Sequence, residues 1–128
     1  MIVFDAGALI ALDKGDPAML VRFQEAAEED TTVLVPLAAL AQAWRGGPKG
    51  ARLARALGGM EPASFDELAK QVGELCTKAG TADVVDASVA LVAARPGVRT
   101  LYTSDPADLH RLLDAAGGNR PQIGRAHV

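Results

Sequence analysis

Two aspartates occupy positions where a charged side chain is unexpected. Asp5 follows the apolar run "IVF" and is itself followed by small and apolar residues, and Asp86 lies in "DVVDASVALVAA", a segment that is otherwise almost wholly apolar or small. A buried carboxylate is costly unless it is paired, protonated or bound to a metal. The chain has no basic residue between Lys78 and Arg95, so a partner for Asp86 must come from elsewhere.

Two further aspartates can join these acids. Asp83 precedes Asp86 by three residues, which places both on one face of a helix. Asp105 follows an apolar strand pattern in "LYTSDPADL", as Asp5 does. Ordinary explanations exist, because Asp83 suits the first turn of a helix and Asp105 is a typical N-cap, with Asp108 as a second capping acid. A divalent cation shared by Asp5, Asp86 and Asp105 would satisfy all three, and Mg²⁺ or Mn²⁺ suits oxygen-only ligands.

The pattern of apolar residues predicts alternating strands and helices that would position these acids. The predicted strands are residues 2–4, 32–35, a brief strand around 60, 100–103 and 122–123. The predicted helices are residues 17–29, 37–44, 49–57, 64–78, 83–94 and 106–115, the fourth opened by a capping box of Ser64 and Glu67. The alternation predicts an α/β fold, a three-layer α/β/α sandwich with a central, mainly parallel sheet of four or five short strands. In such sheets reactive groups gather outside the carboxyl ends of the strands, where Asp5 and Asp105 are expected to converge.

Length and composition limit the remaining possibilities. The 128 residues fit a single domain spanning 1–128, and 49% of them are hydrophobic but only 4% aromatic, so the core is expected to consist mainly of Ala, Leu and Val. No signal peptide or membrane span is recognisable, and the single Cys76 can form no intramolecular disulfide, so we expect a soluble, cytoplasmic protein. The net charge of −3 does not favour nucleic-acid binding over the whole surface, so any such role must be local.

Four motifs, in their order and spacing, resemble PIN domains and particularly the ribonuclease toxins of VapC type from toxin-antitoxin pairs. They are "VFDAGALIAL", "VPLAALAQAWRGG", "DVVDASVALVA" and "LYTSDPADL", and the resemblance covers nearly the whole chain. It implies that acids matching Asp5, Asp86 and Asp105 hold one or two Mg²⁺ or Mn²⁺ ions, which hydrolyse the RNA backbone. By the same resemblance Asp83 is an additional member of this cluster, and whether Asp83 or Asp86 is the principal ligand stays open. The resemblance also implies a cognate antitoxin protein as partner and a homodimer.

One motif departs from the family pattern at Gln42, where these toxins usually carry a glutamate shortly before "RG". No acid occurs between Asp30 and Glu61, so a shifted register cannot restore it. An amide oxygen can still coordinate a hard cation, but one negative charge is missing and a lower metal affinity is expected. Gly7 also replaces the family's small hydroxyl residue two places after the first acid. These departures leave open an alternative, a degenerate PIN domain that binds a protein or RNA partner without cleaving.

Candidate RNA contacts lie near the second and fourth motifs. Arg45, Lys49 and Arg52 could hold the RNA backbone, although an ordinary solvated face explains them nearly as well. The Thr103 and Ser104 hydroxyls match the family's polar residues just before its last acid and complete the predicted RNA-binding set.

Two other features weigh on function. Trp44 is expected to be a core residue or a subunit contact rather than a base-stacking platform, since one aromatic makes a poor nucleic-acid surface. A phosphoacceptor domain of receiver type would also collect acids at strand ends. The sequence disfavours it, because the strand ends near Pro36 and Pro62 offer no acceptor aspartate and no lysine follows the strand at 100–103.

Overall fold

The computed structural model describes residues 1–127, so Val128, the last residue of the predicted domain, lies outside the described residues. Its centre is a single five-stranded sheet in which every strand is parallel to its neighbours. The strands are β1 (Ile2–Phe4), β2 (Val33–Pro36), β3 (Glu61–Ala63), β4 (Thr100–Thr103) and β5 (Gln122–Arg125). Their order across the sheet is β3-β2-β1-β4-β5, which makes β1 the central strand.

Helices connect the strands and cover both faces of the sheet, so the predicted three-layer α/β/α architecture is confirmed. They are α1 (Ala6–Asp13), α2 (Pro17–Glu28), α3 (Leu37–Ala43), α4 (Ala51–Leu57), α5 (Ala69–Ala79), α6 (Val84–Ala93) and α7 (Pro106–Ala116), with 3-10 turns at Pro48–Gly50 and Asp66–Leu68. Successive side chains of β1 point to opposite faces. Ile2 and Phe4 pack with α1, α2 and α4, whereas Val3 packs with α5, α6 and α7.

Several local predictions need correction. The first helix, α1, was not predicted. Six of its eight residues are buried, so its sequence lacks the alternation of polar and apolar residues by which an amphipathic helix is recognised. The capping box of Ser64 and Glu67 was wrong, since α5 begins at Ala69 after a 3-10 turn and has no side-chain cap. The brief strand predicted around residue 60 is β3, one residue further along the chain.

Other predictions concern single residues. Cys76 is buried on α5, as expected of a small core residue. Trp44 is 43% exposed, so its predicted place in the core was wrong and the subunit contact stays a prediction. Of the helices described over residues 1–127, none has the length and apolar character needed to cross a bilayer.

Candidate metal centre

The pairing of β1 with β4 places two acids at the same edge of the sheet. Phe4 lies beside Tyr102, so the residues that follow these strands emerge together at their carboxyl ends. The backbone N–H of Asp5 donates to the carbonyl of Tyr102 over 3.1 Å, which continues the strand contact by one residue. Asp105 follows two residues after the end of β4. The predicted convergence of the β1 and β4 ends is therefore present in the fold.

Of the helices that begin at this edge, α1, α6 and α7 each begin with an aspartate N-cap. The Asp5 carboxylate accepts from the N–H of Ala8 at 2.8 Å at the start of α1. At the start of α6, Asp83 accepts from the N–H of Asp86 at 3.0 Å. At the start of α7, Asp105 accepts from the N–H of Asp108 at 3.5 Å. Helix N-termini carry partial positive charge, which stabilises carboxylates placed on them.

Three carboxylates of this edge come within metal-binding distance of one another. Oxygen atoms of Asp86, Asp105 and Asp108 all lie within 4.8 Å of each other, so the three side chains could hold one metal ion. Asp86 and Asp108 are partly buried, whereas Asp105 is exposed. Asp5 and Asp83 lie outside this group. The sequence thus predicted Asp86 and Asp105 as neighbours, but it explained Asp108 only as a capping acid.

Asp108 was missed because a capping role accounts for it fully. One signal was available: "DVVD" at 83–86 and "DPAD" at 105–108 repeat the same spacing at two helix starts. The helices α6 and α7 pack against each other, and the N3 acids of the two repeats, Asp86 and Asp108, lie close to the Asp105 cap.

The Asp5 carboxylate is buried and is partly stabilised by hydrogen bonds within the protein. Asp5 is 4% exposed, and burial raises the pKa of its carboxyl group above the ordinary value. Hydrogen bonds oppose that rise: the Thr103 hydroxyl and the backbone N–H groups of Ala8, Ser104 and Gly7 all donate to the carboxylate. These four donors offset part of the cost of burying the Asp5 charge, and the pKa of the carboxyl group stays above its ordinary value.

Thr103 forms hydrogen bonds with two of the acids, Asp5 and Asp105. Its hydroxyl donates to the Asp5 carboxylate, and its Oγ1 accepts from the backbone N–H of Asp105 at 2.9 Å. The side chain is fully buried at 0% exposure. The expectation that Thr103 contacts RNA was therefore wrong, because no ligand can reach it. Its place in the structure is that of a positioning residue between Asp5 and Asp105.

Negative charge accumulates at this edge of the sheet, where the acids raise one another's pKa. The pKa of Asp86 is raised to about 7, first by burial, then by the charge and hydrogen bond of Asp83, and then by the charges of Asp5 and Asp105. The pKa of Asp108 is also raised, chiefly by its hydrogen bond with Asp105 and by the charge of that neighbour. A cation bound here would relieve this repulsion, and an all-carboxylate donor set suits a hard divalent ion.

Arg111 is the one basic group that the described residues place against these acids by an ion pair. Its guanidinium lies 3.3 Å from Asp108, one helical turn back on α7. Both side chains are about half exposed, so water screens the pair and its effect on the pKa of Asp108 is smaller than that of Asp105.

The predicted RNA-binding cations do not line this edge together. Arg52 donates to the backbone carbonyl of Asp13 at 2.6 Å, at the end of α1 opposite Asp5. An eight-residue helix is about 12 Å long, so Arg52 is separated from the acids by that length. Arg45 donates to the backbone carbonyl of Gln42 at 2.9 Å, and Lys49 is exposed. Arg45, Lys49 and Arg52 as contacts of the RNA backbone stay predictions.

Gln42 lies near the end of α3 and is exposed. Its backbone carbonyl accepts from Arg45, and among residues 1–127 no hydrogen bond of its amide to an aspartate is found. The structure does not place this amide against the acids, so its role as a ligand stays a prediction.

No protein-family model, curated protein or solved structure matches the chain. The resemblance to PIN domains therefore rests on the four motifs, and the fold and the acidic cluster are established by the structure independently of it.

Proposed function

We propose that the protein is a Mg²⁺- or Mn²⁺-dependent endoribonuclease of PIN type that hydrolyses RNA phosphodiester bonds as the toxin of a toxin-antitoxin pair. One observation carries the proposal: Asp86, Asp105 and Asp108 bring carboxylate oxygens within 4.8 Å of one another at the carboxyl edge of the sheet. Oxygen-only ligand sets suit these two cations. The family resemblance of the motifs supplies the RNA substrate.

The protein residues have distinct parts in this proposal. Asp86, Asp105 and Asp108 would hold the cation, and Thr103 fixes Asp5 relative to Asp105 through its two hydrogen bonds. When bound, the cation would act as a Lewis acid toward a phosphate oxygen and would lower the pKa of a coordinated water. The starts of α6 and α7 add the positive ends of two helix dipoles, which favour an anionic phosphate at the same edge.

A second function is favoured by a specific feature, the glutamine at position 42. If the missing carboxylate is essential, the domain binds RNA or a protein partner and does not cleave. The exposed amide of Gln42, with no hydrogen bond to the acids among residues 1–127, supports this alternative. Within this alternative, the net charge of −3 favours a protein partner over RNA.

Cleavage of a mixed pool of structured RNAs tests the proposal. Purified protein is incubated with Mg²⁺ or Mn²⁺, beside an EDTA control, Asp105→Asn, and Asp16→Asn as a matched change of an N-cap on α2. We expect cleavage by the wild type and by Asp16→Asn, no cleavage with EDTA, and a greatly reduced rate for Asp105→Asn. Folded wild-type protein that cuts with neither metal would favour the binding alternative.

Gln42→Glu separates the two functions further. If Gln42 lies on the ligand side of the site in the complex with a cation, the added carboxylate strengthens Mn²⁺ binding and raises cleavage. Unchanged Mn²⁺ affinity by calorimetry would remove Gln42 from the proposed catalytic set.

A protein partner, either the antitoxin or a second copy of the chain, is part of the proposal. The surface of α3 supports it, since Leu37 is 39% exposed and Trp44 is 43% exposed. They line a groove with apolar walls, completed by Leu40, Ala41 and Leu57. Light scattering of wild type and Trp44→Ser would test the homodimer, and an unchanged mass near that of one chain in both would contradict it.

A further inference from the structure

The sheet has two edge strands, and their backbones differ in the hydrogen-bond donors that they offer. The strand β3 forms one edge and has Pro62 at its centre. Proline has no backbone N–H, and on an edge strand it hinders the addition of a further strand. The strand β5 forms the other edge, and its residues, Gln122–Arg125, include neither a proline nor an acid. Of the two edges, β5 is therefore the one that can accept another strand.

The backbone groups of β5 point alternately toward β4 and away from it. The N–H groups of Gln122 and Ala126 donate to carbonyls on the β4 side, each at 2.8 Å. Successive residues of a strand direct their N–H and C=O groups to opposite sides, so those of Ile123 and Arg125 point away from the sheet. Within residues 1–127 no strand lies beyond β5. These two donors and two acceptors are thus available to a partner.

The segment that contains β5 is positively charged, although the whole chain is negative. Residues 119–127 include Arg120, Arg125 and His127 and no acid, whereas the net charge of the chain is −3. The guanidinium of Arg120 is paired with Asp114. Arg125 is exposed, and within residues 1–127 it forms no ion pair. Its charge lies on the same strand as the outward backbone groups and favours an acidic partner.

A second copy of the chain does not suit this edge. Pairing of two β5 strands would bring two positive segments side by side, and like charges across a pair of strands are destabilising. A charged side chain on an edge strand is one of the means by which proteins prevent such self-association. The charge of Arg125 therefore opposes a second β5 strand and attracts a strand of opposite charge.

We propose that the β5 edge binds an extended, acidic segment of a partner protein, which pairs with β5 as an additional strand of the sheet. The outward N–H and C=O groups of Ile123 and Arg125 form the main-chain hydrogen bonds, and the Arg125 guanidinium contacts a carboxylate of the segment. Single-stranded RNA suits this edge less well, because it is held by phosphate contacts and base stacking rather than by a row of backbone groups. The inference is independent of the proposed function, since it uses no residue of the acidic cluster.

Fluorescence anisotropy with labelled peptides tests the proposal on the full chain. The probe is an octapeptide of alternating Glu and Val, and the controls are octapeptides of alternating Glu and Pro and of alternating Lys and Val. The Glu-Pro peptide keeps the charge but cannot pair as a strand, whereas the Lys-Val peptide reverses the charge. We expect saturable binding of the Glu-Val peptide and at least about tenfold weaker binding of both controls. Equal binding of the Glu-Val and Glu-Pro peptides, or no binding of the Glu-Val peptide, would overturn the inference.

Two substitutions at one position separate the backbone donor from the charge. Arg125→Ala removes the charge and keeps the N–H, and Arg125→Pro removes both. Because this N–H points away from β4, its loss breaks no hydrogen bond within the sheet. We expect Arg125→Ala to weaken binding of the Glu-Val peptide about threefold, and Arg125→Pro to weaken it about tenfold further. Equal affinities of the two variants would show that the charge alone is recognised, which overturns the pairing with β5.

Amide hydrogen exchange of the wild type, followed by NMR, tests the same pairing without a substitution. In the free protein we expect slow exchange at Gly124, whose N–H points toward β4, and fast exchange at Ile123 and Arg125. Saturation with the Glu-Val peptide should slow exchange at these two residues about tenfold or more. A bound peptide that leaves both amides unprotected would overturn the inference. A wild-type dimer, seen by light scattering, that Arg125→Pro converts to a monomer would overturn the acidic partner in favour of a second copy.

Discussion

Two helices of the protein begin with nearly the same five residues, "DPAML" at 16–20 and "DPADL" at 105–109. In both, the aspartate is the N-cap, proline is the first helical residue and the cap accepts from the N–H three residues on. The cap bond is 3.0 Å at Asp16 and 3.5 Å at Asp105. The third helical residue differs most, since Met19 is 1% exposed in the core and Asp108 belongs to the acidic cluster.

The difference between these helix starts comes from what the fold brings to them. Asp16 follows the turn after α1, and its helix packs Met19 into the core. Asp105 follows β4 at the carboxyl edge of the sheet, where β1 ends and α6 begins, so it meets other acids. The same local sequence forms a stabilising cap at one helix start and, at the other, part of an acidic cluster that could hold a metal ion. Position in the sheet decides which.

The largest expected effect separates the two caps by activity. Asparagine is as good an N-cap as aspartate, so Asp16→Asn and Asp105→Asn both keep their helix starts. We expect Asp105→Asn to lower the rate of RNA cleavage at least about 100-fold, because a ligand charge at the cation is lost. Asp16→Asn should keep the wild-type rate. Equal rates for both variants in a single-turnover cleavage assay would remove the distinction between the caps.

A second change makes the two helix starts identical in sequence. Asp108→Met converts "DPADL" to "DPAML" and removes one of the three cluster acids. We expect Mn²⁺ affinity to fall about tenfold, the loss of about 1.4 kcal/mol of binding free energy. Titration calorimetry measures it, with Asp114→Asn on the same helix as a control for lost charge. Unchanged affinity in Asp108→Met would exclude Asp108 from the site.

The pH dependence of stability sharpens the electrostatic side of the comparison. The pKa of Asp86 is about 7 in the folded protein against an ordinary 3.8, so the folded protein holds a proton that the unfolded chain has released between these values. Its contribution to the free energy of unfolding is therefore full below about pH 4 and is lost as the pH rises to about 7.

Asp86→Asn removes the loss of stability that the wild type shows as the pH rises from about 4 to about 7. At pH 7 without divalent cations we expect the variant to exceed wild type by roughly 1–2 kcal/mol, less than the full shift implies because water screens this half-exposed group. Urea unfolding in EDTA at pH 4 and pH 7 measures the difference. A wild type and a variant whose stabilities change equally between the two pH values would show that Asp86 carries no raised pKa.

The smallest expected effect is the contribution that the two N-caps make to the free energy of unfolding. Asp16→Ala removes a cap and should cost about 1 kcal/mol of stability. Asp105→Ala also removes a cap but relieves repulsion of Asp86 and Asp108, so its cost should be smaller in the absence of metal. Urea unfolding of both variants with EDTA tests this order, and a larger cost at Asp105 would contradict the repulsion.

Most of the fold could be predicted because its local signals agree with its tertiary structure. The β1 and β4 strands are short apolar runs, and α2 and α7 begin at Asp-Pro starts. The exception is α1, whose residues are so largely buried that no periodic pattern remains. A helix buried on most sides cannot be distinguished from a strand by periodicity.

The acidic site could be predicted only in outline. Asp86 and Asp105 were recognisable because one was unexplained in an apolar segment and the other followed a strand. Asp108 was not, since its local sequence is that of an ordinary helix start, as the comparison with residues 16–20 shows. Thr103 resembled a substrate contact, and only tertiary structure reveals that it is buried between Asp5 and Asp105.

Mn²⁺ titration by calorimetry of the wild type, Asp105→Asn and Asp16→Asn tests the central claim most directly, because it needs no knowledge of the RNA. The claim is that Asp86, Asp105 and Asp108, at the carboxyl edge of the sheet, form a divalent cation site that the similar helix start on α2 lacks. It predicts saturable binding by wild type and Asp16→Asn with equal affinity, and a large loss in Asp105→Asn. Folded wild-type protein with no saturable Mn²⁺ binding, or an Asp105→Asn variant that binds as wild type does, would contradict it.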